Sequence, residues 1–326
     1  MSNNIKNIFD DMFTNKLDDN YIKNYLIDLY KKGESFEDIS QAVLSMRNHM
    51  IPLNINESLK NSLIDNCGTG GDHSNSFNIS TTVSILLASC ECNVAKHGNK
   101  SITSSSGSSN CLKELGLNLN ISVDKLHILL EDTNFVFLNA INHHPYMKYI
   151  MPIRKSIPHR TIFNILGPLC NPAGVTKQLI GIFNKDYINN IIYALKKLNT
   201  KKAVVLSSKD GMDEISISDI TYASILENDN IKEFIIDPTK YNIKLSPKDS
   251  ILGGTPLQNA KITKNILNGK EKGAKLDIIL LNSAMALVVD NKARDIQDGL
   301  QIAKDSISSS KASKKLEEII RVSKLL

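Results

Sequence analysis

Four short stretches of this chain carry residue types that bind charge. The first is Gly68-Thr69-Gly70-Gly71-Asp72, set between the apolar run at 59–64 and a helix expected to begin near Ser80. Glycine-rich turns expose backbone N–H groups, and a helix N-terminus behind them favours a bound anion. The spacing is neither GxGxxG nor GxxxxGKS/T, so by itself the loop reads equally as a structural turn. Asp72 would repel an anion, but it fits if it accepts hydrogen bonds from loop amides, ribose hydroxyls or metal-bound water.

The second stretch runs from Lys96-His97-Gly98-Asn99-Lys100 to Ser106-Gly107-Ser108-Ser109. It offers two cations and several small donors ahead of a helix. Alone it reads as a flexible serine-rich linker; paired with the first loop, it suggests two anionic groups on one ligand. The third, 143–174, supplies Arg154, Lys155 and Arg160. Arginine is suited to bidentate capture of a planar carboxylate. His143 and His144 have no metal-ligand spacing to any cysteine, and a His pair before Pro145 reads on its own as a surface turn. The fourth holds Asp210, Asp213 and Glu214. Carboxylates this close repel one another unless a cation binds. That leaves a solvated acidic turn or, opposite phosphate loops, a Mg²⁺ site.

Positioning these loops requires a scaffold, and the pattern changes near residue 66. Before it, Ile5, Ile8, Phe9 and Met12 keep helical spacing, as do Ile22, Tyr25, Leu26 and Leu29. Gly33 stops the second helix. Ser35 and Asp38 form a capping box for a third, with Ile39, Val43, Leu44 and Met46 on one face, and Pro52 closes the bundle. Beyond 66, strands are expected at 94–95, 135–138, 202–206 and 277–281, and helices at 81–91, 109–116, 123–131, 186–198 and 292–308. Such alternation predicts an α/β domain with a mostly parallel central sheet flanked by helices. The expected organisation is a small all-helical domain, 1–65, joined to the rest near 155–175, and a larger α/β domain, 66–326.

The totals are those of a globular chain: 326 residues, 41% apolar, 22% charged and a net charge of +5. No apolar run approaches the roughly 20 residues of a membrane helix, and the N-terminus resembles neither a signal nor a transit peptide. The five cysteines form no CxxC pair and read as reduced thiols. The expected address is the cytoplasm.

Taken in order, GTGGD, Asn78-x-Ser80-Thr81, KHGN, a Ser-Gly-Ser segment, RTIFN-x-LGPL-x-NPA and DGMDE resemble the motifs of the anthranilate phosphoribosyltransferases. LGGTPLQNAKI and DIILLNSAMALVV extend the resemblance, which covers residue 13 to the end. It implies a fold like that of nucleoside phosphorylases, with the active site between the two domains, and a Mg²⁺-dependent homodimer of tryptophan biosynthesis. By motif, Gly68, Thr69, Gly70, Gly71 and Asp72 would line the diphosphate and ribose region of 5-phosphoribosyl-1-diphosphate. Asn78, Ser80, Thr81, Lys96 and Ser108 would hold its phosphates. Ser80, Asp213 and Glu214 would coordinate Mg²⁺, two ions bound with the diphosphate. Gly68, His97, Asn99, His144, Arg154 and Pro168 would border anthranilate, with Arg154 on its carboxylate.

The chemistry suits these residues. Transfer of a ribosyl carbon to an aromatic amine is limited by departure of a highly charged leaving group, which loop donors and Mg²⁺ neutralise. An aryl amine is unprotonated at neutral pH, so no strong general base is required. The chain departs from the family at His73, where glycine commonly follows GTGGD, and at Pro158-His159. Its N-terminus is about one helix shorter than usual. Two other functions share the fold. A pyrimidine-type nucleoside phosphorylase would carry a different glycine loop and lack the paired acids. A non-catalytic nucleic-acid binder would show a basic stripe, whereas the basic residues here are dispersed.

Overall fold

The computed structural model describes residues 5–99 and 106–326; Lys100 and the serines at 101 and 104–105 lie outside them. Helix α1 (Ile5–Phe13) turns Ile8, Phe9, Met12 and Phe13 inward. The side chain of Asp18 caps α2 (Asp19–Lys32), which buries Ile22, Leu26 and Leu29 and ends at Gly33 with φ 81°. Helix α3 (Phe36–His49) opens on the reciprocal Ser35–Asp38 capping box and buries Ile39, Val43 and Met46. Leu44, expected on that face, is exposed. It follows Val43 by one residue, a rotation of about 100° that carries it out of the apolar stripe.

Helix α4 (Glu57–Ser62) leads into β1 (Leu63–Asp65). There follow α5 (Ile79–Ser89), β2 (Asn93–Gly98), α6 (Ser108–Leu115), α7 (Leu126–Thr133), β3 (Phe135–Asn139), α8 (Ala140–His143), α9 (Met147–Lys155) and α10 (Phe163–Leu169). Next come β4 (Lys177–Gly181), α11 (Ile188–Lys197), β5 (Lys202–Ser208), β6 (Thr221–Glu227) and β7 (Asn230–Ile236). The chain ends in α12 (Pro256–Leu267), α13 (Ala274–Val289), α14 (Ile296–Ser308) and α15 (Lys311–Ser323). The sheet order is β3-β2-β1-β4-β5-β6-β7. Pairings among β1 to β5 are parallel, and β6 and β7 add an antiparallel edge.

One expected strand is wrong. Residues 277–281 lie in α13, which is buried on nearly every side from Ile278 to Leu287. A helix apolar all round presents the same unbroken run as a buried strand, and periodicity cannot separate the two.

Apolar clusters on the two sides of the sheet hold the layers. One joins α5, α13 and α14 to Val204 and Leu206. The other joins α1–α3 to Tyr146, Ile150, Phe163 and Leu166, and to Ile191, Leu195 and Val205. The N-terminal helices therefore share their core with α9, α10 and α11. Phe9 is wholly buried in it, a contribution of roughly 2–3 kcal/mol. From β1 the chain moves outward through β2 to β3, then returns to place β4 on the other side of β1. Ligands in open α/β sheets bind beyond the strand ends at such a reversal. The glycine loop leaves β1 at that point.

Candidate active site

Beyond β1 the backbone enters the left-handed region four times within six residues: Gly70 (φ 66°), Gly71 (φ 73°), His73 (φ 59°) and Asn75 (φ 53°). The loop is pinned to the neighbouring strands. Thr69 N donates to Gly181 O at the end of β4 (2.9 Å), and Gly70 N donates to Asp213 Oδ2 (2.6 Å). A side chain at Gly68 would lie 2.5 Å from that same carboxylate oxygen, and one at Gly181 only 1.4 Å from Asp213 O. Glycine at both positions lets the acidic turn after β5 pack onto the loop. The Asn282 carboxamide, from within α13, holds the turn by bonding both N and O of Ile215 at 2.9 Å.

This packing gathers Asp72, Asp213 and Glu214, with one oxygen from each lying within 4.8 Å of the others. Asp72 Oδ1 accepts from the Ser74 backbone and hydroxyl, and its Oδ2 accepts from Asp213 N. Burial, reinforced by the charge of Asp72, pushes the Asp213 carboxyl up to about 7. Burial also holds Glu214 well above the usual range, with Asp213 the next cause. Glu214 Oε2 is buried without a hydrogen-bond partner among the described residues. Three crowded carboxyls, two of them resisting ionisation and one with an orphaned oxygen, form a donor set that fits a divalent cation. Ser80 lines the same small cavity as Asp213 and Glu214, together with Asn66, Gly68 and Gly181.

Asn78 occupies the N-cap of α5, and Ser80 and Thr81 sit in its first turn, where no side chain caps the helix. Lys96, on β2 and 1% exposed, donates to Ser80 Oγ at 3.2 Å. The Thr81 hydroxyl is buried and unpartnered among the described residues. Lys96 and the N-terminus of α5, whose first turn no side chain caps among the described residues, thus converge on one spot, the requirements of a phosphate site. Ser108, the first residue of α6, packs so closely on Gly98 that a Cβ there would meet its Oγ at 2.7 Å. Asn99 accepts from Ser109 N.

The third group lies on the helical side. His97 Nδ1 donates to Gly167 O (3.1 Å), next to Pro168 in α10. His144 Nδ1 meets the hydroxyl of Tyr146 (2.8 Å), which donates to Met46 O. The two imidazoles are 5.2 Å apart, and Nε2 of each is buried without a partner among the described residues. Burial lowers His97 to about 3 and His144 to about 4, so both rings are neutral acceptors. The expectation of a surface turn at 143–144 is overturned. His143 is fully buried, and its Nδ1 donates to Ile51 O, fastening the segment after α3. Arg154, on α9, lies over the Phe163 ring (5.4 Å) and touches Met151 Sδ, but makes no ion pair among the described residues. Burial pulls it down to about 10.

Arg160 takes a different place from Arg154. Its guanidinium donates to Gly71 O and stacks over Phe183 at 3.6 Å. The preceding His159 stacks on Tyr30 of α2, with centroids 4.1 Å apart and planes at 19°.

Residues 60–313 match the "Glycosyl transferase family, a/b domain". An anthranilate phosphoribosyltransferase of Methanobrevibacter smithii is 42% identical over 91% of this chain and 87% of its own length. The chain belongs to the anthranilate phosphoribosyltransferase family. A family member from Clostridium kluyveri is 40% identical over 92% of the chain and 88% of its own length. Among solved anthranilate phosphoribosyltransferases, the Thermus thermophilus structure superposes with a TM-score of 0.92 at 27% identity, covering 98% of this chain and 94% of that one. The Saccharomyces cerevisiae structure in complex with PRPP and Mg gives 0.85 at 27% identity, covering 94% and 86%.

Several residues that organise the site carried no assigned role in the sequence of this family member. Asp65, fully buried at the end of β1, accepts from Asn171 Nδ2 (2.8 Å) and His97 N (3.4 Å). Burial lifts it to about 6 although Lys96 opposes the shift. Asn171 also donates to Ala95 O, so this pair ties the glycine loop, β2 and the segment after α10 together. The available signal was a lone asparagine or aspartate inside an otherwise apolar run, as at Asn282.

Proposed function

We propose that this chain transfers the phosphoribosyl group of 5-phosphoribosyl-1-diphosphate to the amine of anthranilate, releasing diphosphate, as a step of tryptophan biosynthesis. The observation that carries this reading is the Asp72–Asp213–Glu214 cluster packed against the glycine loop beside the uncapped first turn of α5. Bound Mg²⁺, one or two ions held by Asp213 and Glu214 with Ser80 and Asp72 at hand, would neutralise the charge of the leaving diphosphate.

The protein's own groups do the remaining work. The loop of residues 68–72 takes the diphosphate and ribose oxygens through the amides of Gly68, Gly71 and Asp72, those of Thr69 and Gly70 being engaged by Gly181 O and Asp213, while Asn78, Ser80, Thr81, Lys96 and Ser108 take the phosphates. These donors are fixed before substrate arrives, so they need not reorganise as charge develops. Arg154, half-buried and without an ion-pair partner among the described residues, takes the anthranilate carboxylate in a charge-assisted pair. The bare Nε2 atoms of His97 and His144 accept hydrogen bonds from an aromatic amine, with Gly68, Asn99 and Pro168 bordering the same acceptor. Holding the amine in line with the ribosyl carbon supplies the rest of the rate.

The N-terminal helices α1–α3 and the α/β body, to which β1 at 63–65 belongs, are the two walls of this cleft, hinged near 155–175. The active form is a homodimer: Leu44, Ile51 and Ile141 expose apolar surface on the helical side that a second copy would cover. No described helix is long and apolar enough to cross a membrane. Both substrates are small polar molecules, and the enzyme acts on them in the cytoplasm. The test is direct. Protein supplied with anthranilate, 5-phosphoribosyl-1-diphosphate and Mg²⁺ should extinguish anthranilate fluorescence, and folded protein that leaves the signal unchanged would refute the assignment.

A further inference from the structure

An asparagine at a helix N-cap ordinarily turns its Oδ1 back to accept an N–H of the first turn. Asn78 does not: its side chain makes no bond to α5. Instead its Oδ1 is occupied by two donors from elsewhere in the chain, Ser106 Oγ at 3.0 Å and Asn259 Nδ2 at 3.0 Å. Its Nδ2 donates to Ser106 O at 3.1 Å. The carboxamide is thus drawn off the helix it would cap.

Asn259 is itself rigidly held. It is 1% exposed, and its Oδ1 accepts from Gly254 N at 2.8 Å. It lies in the first turn of α12, which opens on a reciprocal Thr255–Gln258 capping box. The strand-like segment before that helix runs along the glycine loop: Gly253 N donates to Asn75 O (2.9 Å), and Phe77 N donates to Ile251 O (3.2 Å). Gly253 approaches so closely that a Cβ would lie 2.7 Å from Phe77 Cα. One turn further along α12, Thr263 Oγ1 bonds Thr82 Oγ1 of α5 at 2.8 Å. The whole LGGTPLQNAKIT stretch therefore splints residues 75–82, and Asn259 is the side chain that reaches Asn78.

We propose that Asn259 is a positioning residue of the donor site. By holding the Asn78 carboxamide away from α5, it keeps the Ser80 and Thr81 N–H groups open for phosphate. This rests on the reading of the α5 N-terminus as a phosphate site. Without Asn259, the freed carboxamide turns back and caps its own helix, competing with the ligand for the same amides.

The experiment is a double-mutant cycle on the full chain, with steady-state kinetics for both substrates and calorimetric titration of 5-phosphoribosyl-1-diphosphate with Mg²⁺. Asn259→Ala should raise the donor KM and Kd about tenfold, the scale of one hydrogen bond to a charged group, with kcat and the anthranilate KM within about twofold. In an Asn78→Ala background no carboxamide remains to swing back, so the same substitution should change the donor KM by less than about twofold. A full tenfold effect in both backgrounds overturns the proposal, since Asn259 would then support the fold and not Asn78. Asn78→Ala with unchanged donor affinity refutes the phosphate reading of Asn78 itself, a result separable from the first. Should Asn259→Ala unfold, Asn259→Ser leaves a small polar residue in the buried position while its hydroxyl stops one bond short of Asn78 Oδ1, and the same cycle applies.

Discussion

Asp213→Asn should make the metal-free protein more stable at pH 8 and useless as an enzyme. The carboxyl titrates near 7 in the fold against 3.8 in an unconstrained chain, because it is buried beside Asp72. A raised folded-state value means that the folded protein binds the proton more tightly than the unfolded one. The stability this confers is complete below about pH 3.8 and is lost as pH rises through 7. The difference of about three units corresponds to roughly 4 kcal/mol between the two limits. Relaxation of the turn and water entry reduce that, so a gain of about 1–4 kcal/mol is expected for the neutral amide at pH 8. The amide oxygen can still accept from Gly70 N, which preserves the loop contact. Denaturant unfolding in EDTA at pH 4 and pH 8 measures the effect. The variant should match wild type at the lower pH and exceed it at the higher. Adding Mg²⁺ should then stabilise wild type and leave the variant unmoved. If Asp213→Asn destabilises the metal-free protein at pH 8, the electrostatic account of the cluster is wrong.

Three further outcomes follow from the same geometry. Arg154→Ala should raise the anthranilate KM by about tenfold or more, the loss of a charge-assisted pair, while the donor KM changes little; equal effects on both would reject its carboxylate role. His73 holds φ 59°, where a β-branched side chain is strained, so His73→Val should cost about 1–2 kcal/mol in unfolding free energy. His73→Gly should be neutral or slightly stabilising, and a loss of stability with glycine would mean that the imidazole makes contacts of its own.

The parts legible in the sequence were those written locally. Glycine at 68, 70 and 71, the acidic pair at 213–214 and the Ser35–Asp38 cap each declare themselves within a few residues, and the structure brings the loops together at the reversal of strand order. What the sequence hid depends on distant partners. Asn78 and Asn259 are 181 positions apart, and Asp65 and Asn171 are 106 apart, so no local pattern marks either pair. Strand β1 is three residues long and gives no alternation to read. The largely exposed β7 lacks an apolar face. The buried histidines at 143 and 144 looked like a turn because the groups that anchor them are distant: His143 is held by Ile51 O, and the Tyr146 hydroxyl that meets His144 is itself held by Met46 O.

Arg160 and His159 are consecutive, yet they grip opposite parts of the molecule: one holds the Gly71 carbonyl and the Phe183 ring, the other the Tyr30 ring. A single peptide unit is therefore a mechanical coupling between helix α2 and the glycine loop. The peptide itself is planar and stiff, so only the bonds on either side of it separate the Tyr30 stack from the arginine that holds the Gly71 carbonyl. The glycine loop is thereby within reach of the protein surface: three side chains in series, Arg160, His159 and Tyr30, lead from the Gly71 carbonyl to solvent.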